Sequence, residues 1–250
     1  MQRVLVLSFL SALVVLTWGF VSPVSADLEA GLLAHFGFEG DGDVLMDVTG
    51  NGNDGEIGSA ERSDDGYQGG KCLRFADPDR RASIAGGGLL VTNAFTVAVW
   101  VNLETFDANG ENRLIYKDGQ YNFDLLNGGG RLEIRAEGGW HGTAPAPPLS
   151  LDEWHLVVAT LDGQVSTHYI DGEVVGGNSG IPGPIQQTES SILLGNIGPK
   201  SFVGCMDNLR IYNRALSADE VSTLLLGSDG EAVSPEGSLV TTWATIKQGR

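Results

Sequence analysis

The stretch Phe95-Thr96-Val97-Ala98-Val99-Trp100-Val101-Asn102-Leu103 alternates with period two and places Phe95, Val97, Val99, Val101 and Leu103 on one face. Successive side chains of an extended chain point to opposite sides, so this is a long strand with one face in a core. Ala98 and Trp100 predict that the second face is partly covered too. Outward from this strand the same pattern recurs at 32–38, 72–75, 113–117, 121–126, 131–136, 154–161, 167–170, 191–194 and 209–212. Asp118-Gly119, Asn127-Gly128, Asp162-Gly163 and Asp171-Gly172 lie between these runs and tolerate the positive φ of tight hairpins. One segment departs from the rule. Ser217-Ala218-Asp219-Glu220 is a capping box, followed by Val221, Leu224 and Leu225 at helical spacing and stopped by Gly227. The expected fold is all-β: a two-sheet antiparallel β-sandwich with one short C-terminal helix at about 218–226.

The 250 residues include 36 glycines and 9 prolines, with 42% hydrophobic and 19% charged, as in a loop-rich globular chain rather than a disordered one. A net charge of -17 argues against nucleic acid and against an anionic membrane surface, since both are bound through lysine and arginine. Arg3 precedes an uncharged stretch running from Val4 to Ala26, and Val24-Ser25-Ala26 ends it on a small residue. This reads as a signal peptide over 1–26, leaving a domain at 27–227, a C-terminal extension at 228–250, and no membrane insertion after cleavage. An uncleaved anchor is the alternative, because 4–20 is slightly short for a span. Secretion to the extracellular space or cell surface would permit a disulfide, and Cys72 and Cys205 are the one available pair. A bridge is the expectation, with two buried unpaired thiols as the alternative.

Several segments, in order, carry a resemblance to a known family. They are 31–39 (GLLAHFGFE), 47–55 (DVTGNGNDG), 72–75 (CLRF), the 95–101 strand, Glu153-Trp154-His155-Leu156-Val157, Tyr169-Ile170-Asp171-Gly172, and 202–217 (FVGCMDNLRIYNRALS). Together they resemble the laminin-G-like jelly-roll domains of the concanavalin A-like lectin/glucanase fold, bacterial extracellular branch, from about Leu28 to Leu226. The resemblance implies two sheets packed face to face, with the N- and C-terminal strands adjacent. By itself it implies no ligand.

Glu39, Asp41, Asp43, Asp47, Thr49, Asn51, Asn53 and Asp54 lie among glycines, a composition that can offer a hard cation the six to eight oxygens it needs. The spacing is not that of an EF-hand. The resemblance implies a structural calcium ion (Ca2+) between this loop and the closing signature, held by Glu39, Asp47, Asn51 and Asp207, with Asn53 as an alternate. A turn whose Asp and Asn side chains cap their own backbone is the competing reading. The glucanase pattern Glu-x-Asp-x-x-Glu has only a weak echo in Glu133-Ile134-Arg135-Ala136-Glu137, so no catalytic residue is expected. Trp140, on a glycine-flanked loop, offers a flat face on which a sugar can stack, and Tyr116 and Tyr121 beside a hairpin are lesser candidates. The expected function is that of a secreted, non-catalytic, calcium-stabilised module binding a glycan or an extracellular surface protein. A degenerate glycoside hydrolase and a purely structural surface protein are the alternatives.

Overall fold

The computed structural model describes residues 27–227 except 78, 88, 90–91, 137–138, 143–145 and 196–199. The expected signal peptide and the extension at 228–250 lie outside the described residues. In chain order the strands begin with β1 (Leu32–Phe36), β2 (Val44–Leu45), β3 (Gly55–Glu56), β4 (Glu61–Ser63), β5 (Cys72–Phe75) and β6 (Arg81–Ile84). There follow β7 (Ala94–Leu103), β8 (Glu111–Lys117), β9 (Tyr121–Leu126), β10 (Gly129–Ala136) and β11 (Gly139–Gly142). The last are β12 (Trp154–Asp162), β13 (Val165–Ile170), β14 (Glu173–Ser179), β15 (Ile192–Gly195) and β16 (Gly204–Tyr212), before the helix α1 (Ala218–Leu226).

These strands form two eight-stranded antiparallel sheets. Sheet I runs β14-β13-β12-β7-β16-β5-β4, with β1 also on β16; sheet II runs β11-β10-β9-β8-β15-β6-β3-β2. β7 lies along one side of β16, while β5 and β1 divide the other side, β5 at Gly204 to Met206 and β1 at Leu209 to Tyr212. At the change of partner Asn208 takes φ 49° and the ladder with β7 slips between Asp207 and Arg210. This is a bulge that re-aims the side chains beside it.

The alternation in β7 sorts into the two cores as its sequence predicts. Phe95, Val97, Val99, Val101 and Leu103 enter the cluster between the sheets, with Phe36, Phe75, Phe123, Ile134 and Leu194. Ala98 and Trp100 join a second cluster on the outer face of sheet I, with Leu28, Leu156, Val158, Tyr212, Val221 and Leu224. α1 supplies that cover. Ser217 and Glu220 close its capping box and Gly227 ends it at φ 67°. Val221 and Leu224, buried on the sheet-facing side, contribute roughly 1.5–3 kcal/mol each. Tyr67 stacks on Trp100 at 3.4 Å between ring centroids and extends the same cover. The outer face of sheet I is therefore spent on packing. Among the described residues there is no second helix and none covers the outer face of sheet II.

Candidate functional site

The outward positions of β8, β9 and β10 are polar and charged, although their inward neighbours Ile115, Phe123 and Leu132 are core. Cross-strand pairing aligns Arg113 with Asp124 and Asp124 with Arg131, and in the next row Tyr116 with Asn122 and Asn122 with Glu133. Arg113 grips Asp124 in a fork, Nε to Oδ1 at 2.7 Å and Nη2 to Oδ2 at 3.1 Å. Arg131 Nη2 lies 3.3 Å from Glu111, 3.7 Å from Asp124 and 3.5 Å from Glu133, and Lys200 pairs with Glu111. Burial pushes the Asp124 carboxyl above its usual range against the pull of Arg113. Asn122 donates through Nδ2 to Glu133 Oε2 at 3.1 Å. Two polar atoms of this network have no hydrogen-bond partner among the described residues: Asn122 Oδ1 and Arg131 Nε, both buried. A buried polar atom left unpaired costs about 1–3 kcal/mol, a cost that a polar ligand would remove.

Two of the three aromatic candidates frame this network. Trp140 is 39% exposed and pairs across the strands with Arg135, whose guanidinium lies 5.7 Å over its ring. It belongs to the edge strand β11 rather than to a loop. Tyr116 packs under Arg113 at 5.1 Å, and its hydroxyl donates to Asp118 at 2.6 Å, which with partial burial raises its pKa. From β8 to β11 is three strand spacings, about 14 Å. Tyr121 is a correction. It is fully buried between the sheets, its ring 5.3 Å from Phe95, because its odd position in β9 points inward. Glu133 is on the open face, and Glu137 lies outside the described residues.

The five residues expected to hold calcium fall into two groups. Asp47 is buried, and its carboxylate accepts from His35 N (3.2 Å), Thr49 N (3.1 Å), Thr49 Oγ1 (2.7 Å), Asn53 N (3.2 Å) and Asn53 Nδ2 (3.0 Å). Burial works against ionisation there, but the bonds from Thr49, His35 and Asn53 hold its carboxyl below the ordinary range. Asn51 and Asn53 turn their amide nitrogens to the Leu33 carbonyl at 3.0 and 2.9 Å, pinning the loop to β1. The second group is Glu39 and Asp207. Asp207 lies on the outer face of sheet I and accepts from Tyr67 N (2.9 Å) and Asn208 N (2.7 Å), while Glu39 accepts from Lys71 N (3.0 Å). No group of three or more His, Cys, Asp or Glu side chains among the described residues could hold a metal ion. As a single set the five do not fit one calcium ion, because donors from the chain already fill the Asp47 carboxylate.

The expected bridge between Cys72 and Cys205 is also corrected. Both are buried free thiols. The ladder pairs Cys205 with Arg74 and Met206 with Leu73, which leaves Cys72 one diagonal step from Cys205. Diagonal neighbours stand about 7–8 Å apart at Cα, beyond usual disulfide reach. The thiols hydrogen-bond instead, which with burial pushes Cys72 well above its ordinary range.

The network of Arg113, Asn122, Asp124 and Arg131 was missed by sequence reasoning. No local signal marked it, because Asn122 and Asp124 alternate with Tyr121, Phe123 and Leu125 as on any strand with one polar face, and their burial comes from the long side chains of the neighbouring strands.

With this geometry in view, a laminin G family model, described as the concanavalin A-like lectin/glucanases superfamily, matches residues 78–222. The chain belongs to this superfamily. Solved structures share the fold. The binding domain of Paraclostridial Mosquitocidal Protein 1 is similar at 19% identity and TM-score 0.66, over 80% of this chain and 53% of that one. This chain therefore spans about half the length of that relative. Domain 4 of AbnA, a GH43 extracellular arabinanase from Geobacillus stearothermophilus, in complex with arabinotriose, is similar at 23% identity and TM-score 0.64, over 78% of this chain and 98% of that one. Trypanosoma rangeli sialidase is similar at 21% identity and TM-score 0.61, over 80% and 33%. At these identities the likeness is one of fold. No curated protein matches the chain.

Proposed function

We propose that the chain is a non-catalytic carbohydrate-binding module whose ligand lies on the outer face of sheet II. The observation that carries the reading is Trp140, 39% exposed beneath the Arg135 guanidinium, on the same open face as Tyr116 and the polar side chains of β8 to β10. Sugars present both hydroxyls for polar side chains and flat apolar faces for aromatic rings. The similar AbnA domain, solved with arabinotriose, supports this reading. A non-catalytic role is supported by Asp124, whose two oxygens are both held by Arg113 and which cannot readily serve as a free acid or nucleophile. The leader-like 1–26 segment supports an extracellular or cell-surface setting, where the partner is a glycan or a glycan-bearing surface protein. The stabilising role implied for calcium is assigned in this reading to the hydrogen bonds of Asp47.

The test is retention of the 27–250 protein on a panel of insoluble and gel-embedded polysaccharides, with reducing-sugar release measured in parallel. Retention without release is expected. Release that disappears in Glu133→Gln would replace the module with a glycoside hydrolase. No retention on any member of the panel would leave a purely structural surface protein.

A further inference from the structure

Resting on the carbohydrate reading above, we infer that the ligand is the interior of a linear, uncharged polysaccharide lying across the strands of sheet II, not a terminal sugar in a single pocket. An unbroken line of directly paired residues crosses all eight strands, from Val44 on β2 through Ser83, Tyr116 and Asn122 to Gly142 on β11. At about 4.8 Å per strand spacing, this line is about 34 Å long, more than a mono- or disaccharide can cover. Exposure falls toward the middle of the line, from 53% at Val44 to 5% at Asn122, and rises again at Gly142, and this line is taken as the trough in which the chain lies.

Both halves of the trough are equipped. Over β3 and β6 it widens into a cleft of about 770 Å³ lined by Glu56, Arg81, Ser83 and Leu193. Over β10 and β11 it ends beside Trp140 under the Arg135 guanidinium. Leu193 and Tyr116 are directly paired between the two halves and carry apolar surface along the line. Asn122, near the middle of the line, is paired with Tyr116 on one side and with Glu133 on the other, so the polar centre of the face lies between the two halves. Arg81 in the cleft and Arg135 beside Trp140 have no ion pair among the described residues, but the cations at the centre of the face are neutralised and the chain as a whole is acidic, which favours an uncharged ligand. Arg113 is committed to Asp124, Arg131 to Glu111 and Glu133, and Lys200 to Glu111. A chain of net charge -17 offers a polyanion no long-range attraction.

The experiment is calorimetric titration of the 27–250 protein with ladders of arabino-, xylo-, manno- and cello-oligosaccharides of two to six units, and with oligogalacturonides as the charged control. In the ladder that binds, affinity is expected to rise at least about tenfold from dimer to hexamer. Trp140→Ala and Ser83→Tyr, at opposite ends of the trough, should each remove most of that gain. Glu56→Ala, at an exposed position of the cleft, provides the same test if Ser83→Tyr lowers the melting temperature. A flat length series, tighter binding of oligogalacturonides, or an unchanged hexamer affinity in the Ser83 and Glu56 variants would overturn this inference and leave the carbohydrate reading standing. No binding by any ladder would overturn both.

Discussion

Arg113 on β8 and Asp124 on β9 form a forked ion pair at 2.7 and 3.1 Å, with their side chains 7% and 0% exposed, on the outer face of sheet II. Such a pair gains little over apolar residues of the same size but is costly to break. Asp124→Ala should therefore destabilise the domain by about 3–5 kcal/mol, leaving a buried guanidinium unpaired. The double variant Arg113→Met with Asp124→Leu should recover most of that loss. Urea denaturation of the three proteins measures both effects.

Asp47 is the hub of the 46–54 loop and accepts five hydrogen bonds from His35, Thr49 and Asn53. Asp47→Ala orphans buried donors and should cost at least about 2–3 kcal/mol. The loss should be the same in calcium and in EGTA, and the wild-type Tm should not move between them. A calcium-dependent rise in wild-type Tm that is absent in Asp47→Ala would place an ion at this loop after all.

His168 and Asp207 titrate in opposite senses over one pH window. Burial lowers the His168 imidazole from 6.5 to about 4, so its contribution to stability is complete above pH 6.5 and is lost as pH falls toward 4. Burial, with the Glu39 carboxylate adding to it, raises Asp207 from 3.8 to about 7. The stability linked to its protonated form is complete below about pH 3.8 and is lost as pH rises through 7. Between pH 4 and 7 the two slopes largely cancel. Asp207→Asn should steepen the loss of Tm on acidification, and His168→Gln should make Tm rise on acidification. Thermal melts across that range, compared with the wild type, decide it.

Tyr121 lies in the core with its hydroxyl unpaired among the described residues. Tyr121→Phe should raise stability by up to about 1 kcal/mol, because a buried donor without a partner is removed, and should leave ligand binding unchanged. A drop in glycan affinity would return Tyr121 to the binding face.

The fold was legible because its signals are local. The alternation in 95–103 needs no knowledge of the rest of the chain, and the capping box at Ser217 states where the helix begins. The short strands β2, β3, β4 and β6 carry too few residues for a period to show, and pairing with neighbours far along the chain defines them. The binding face was half legible. Trp140 and Tyr116 stand out by residue type, but their company on one face depends on the register of β8 through β11, which one strand does not encode. Tyr121 and Tyr116 look equivalent around the same hairpin, yet one residue of register sends one ring inward and the other outward. Asp47 was recognised as important, but its carboxylate is satisfied by amides of its own loop. Composition cannot distinguish that from an ion site.

The central claim is that ligand meets the outer face of sheet II, and amide chemical-shift mapping with a saturating bound oligosaccharide tests it most directly. The account predicts that perturbed amides cluster on β8 to β11 and β15, centred on Asn122, Arg131 and Trp140, and that they are absent from Trp140→Ala. Perturbations confined to the 46–54 loop, to α1 or to the outer face of sheet I would contradict it.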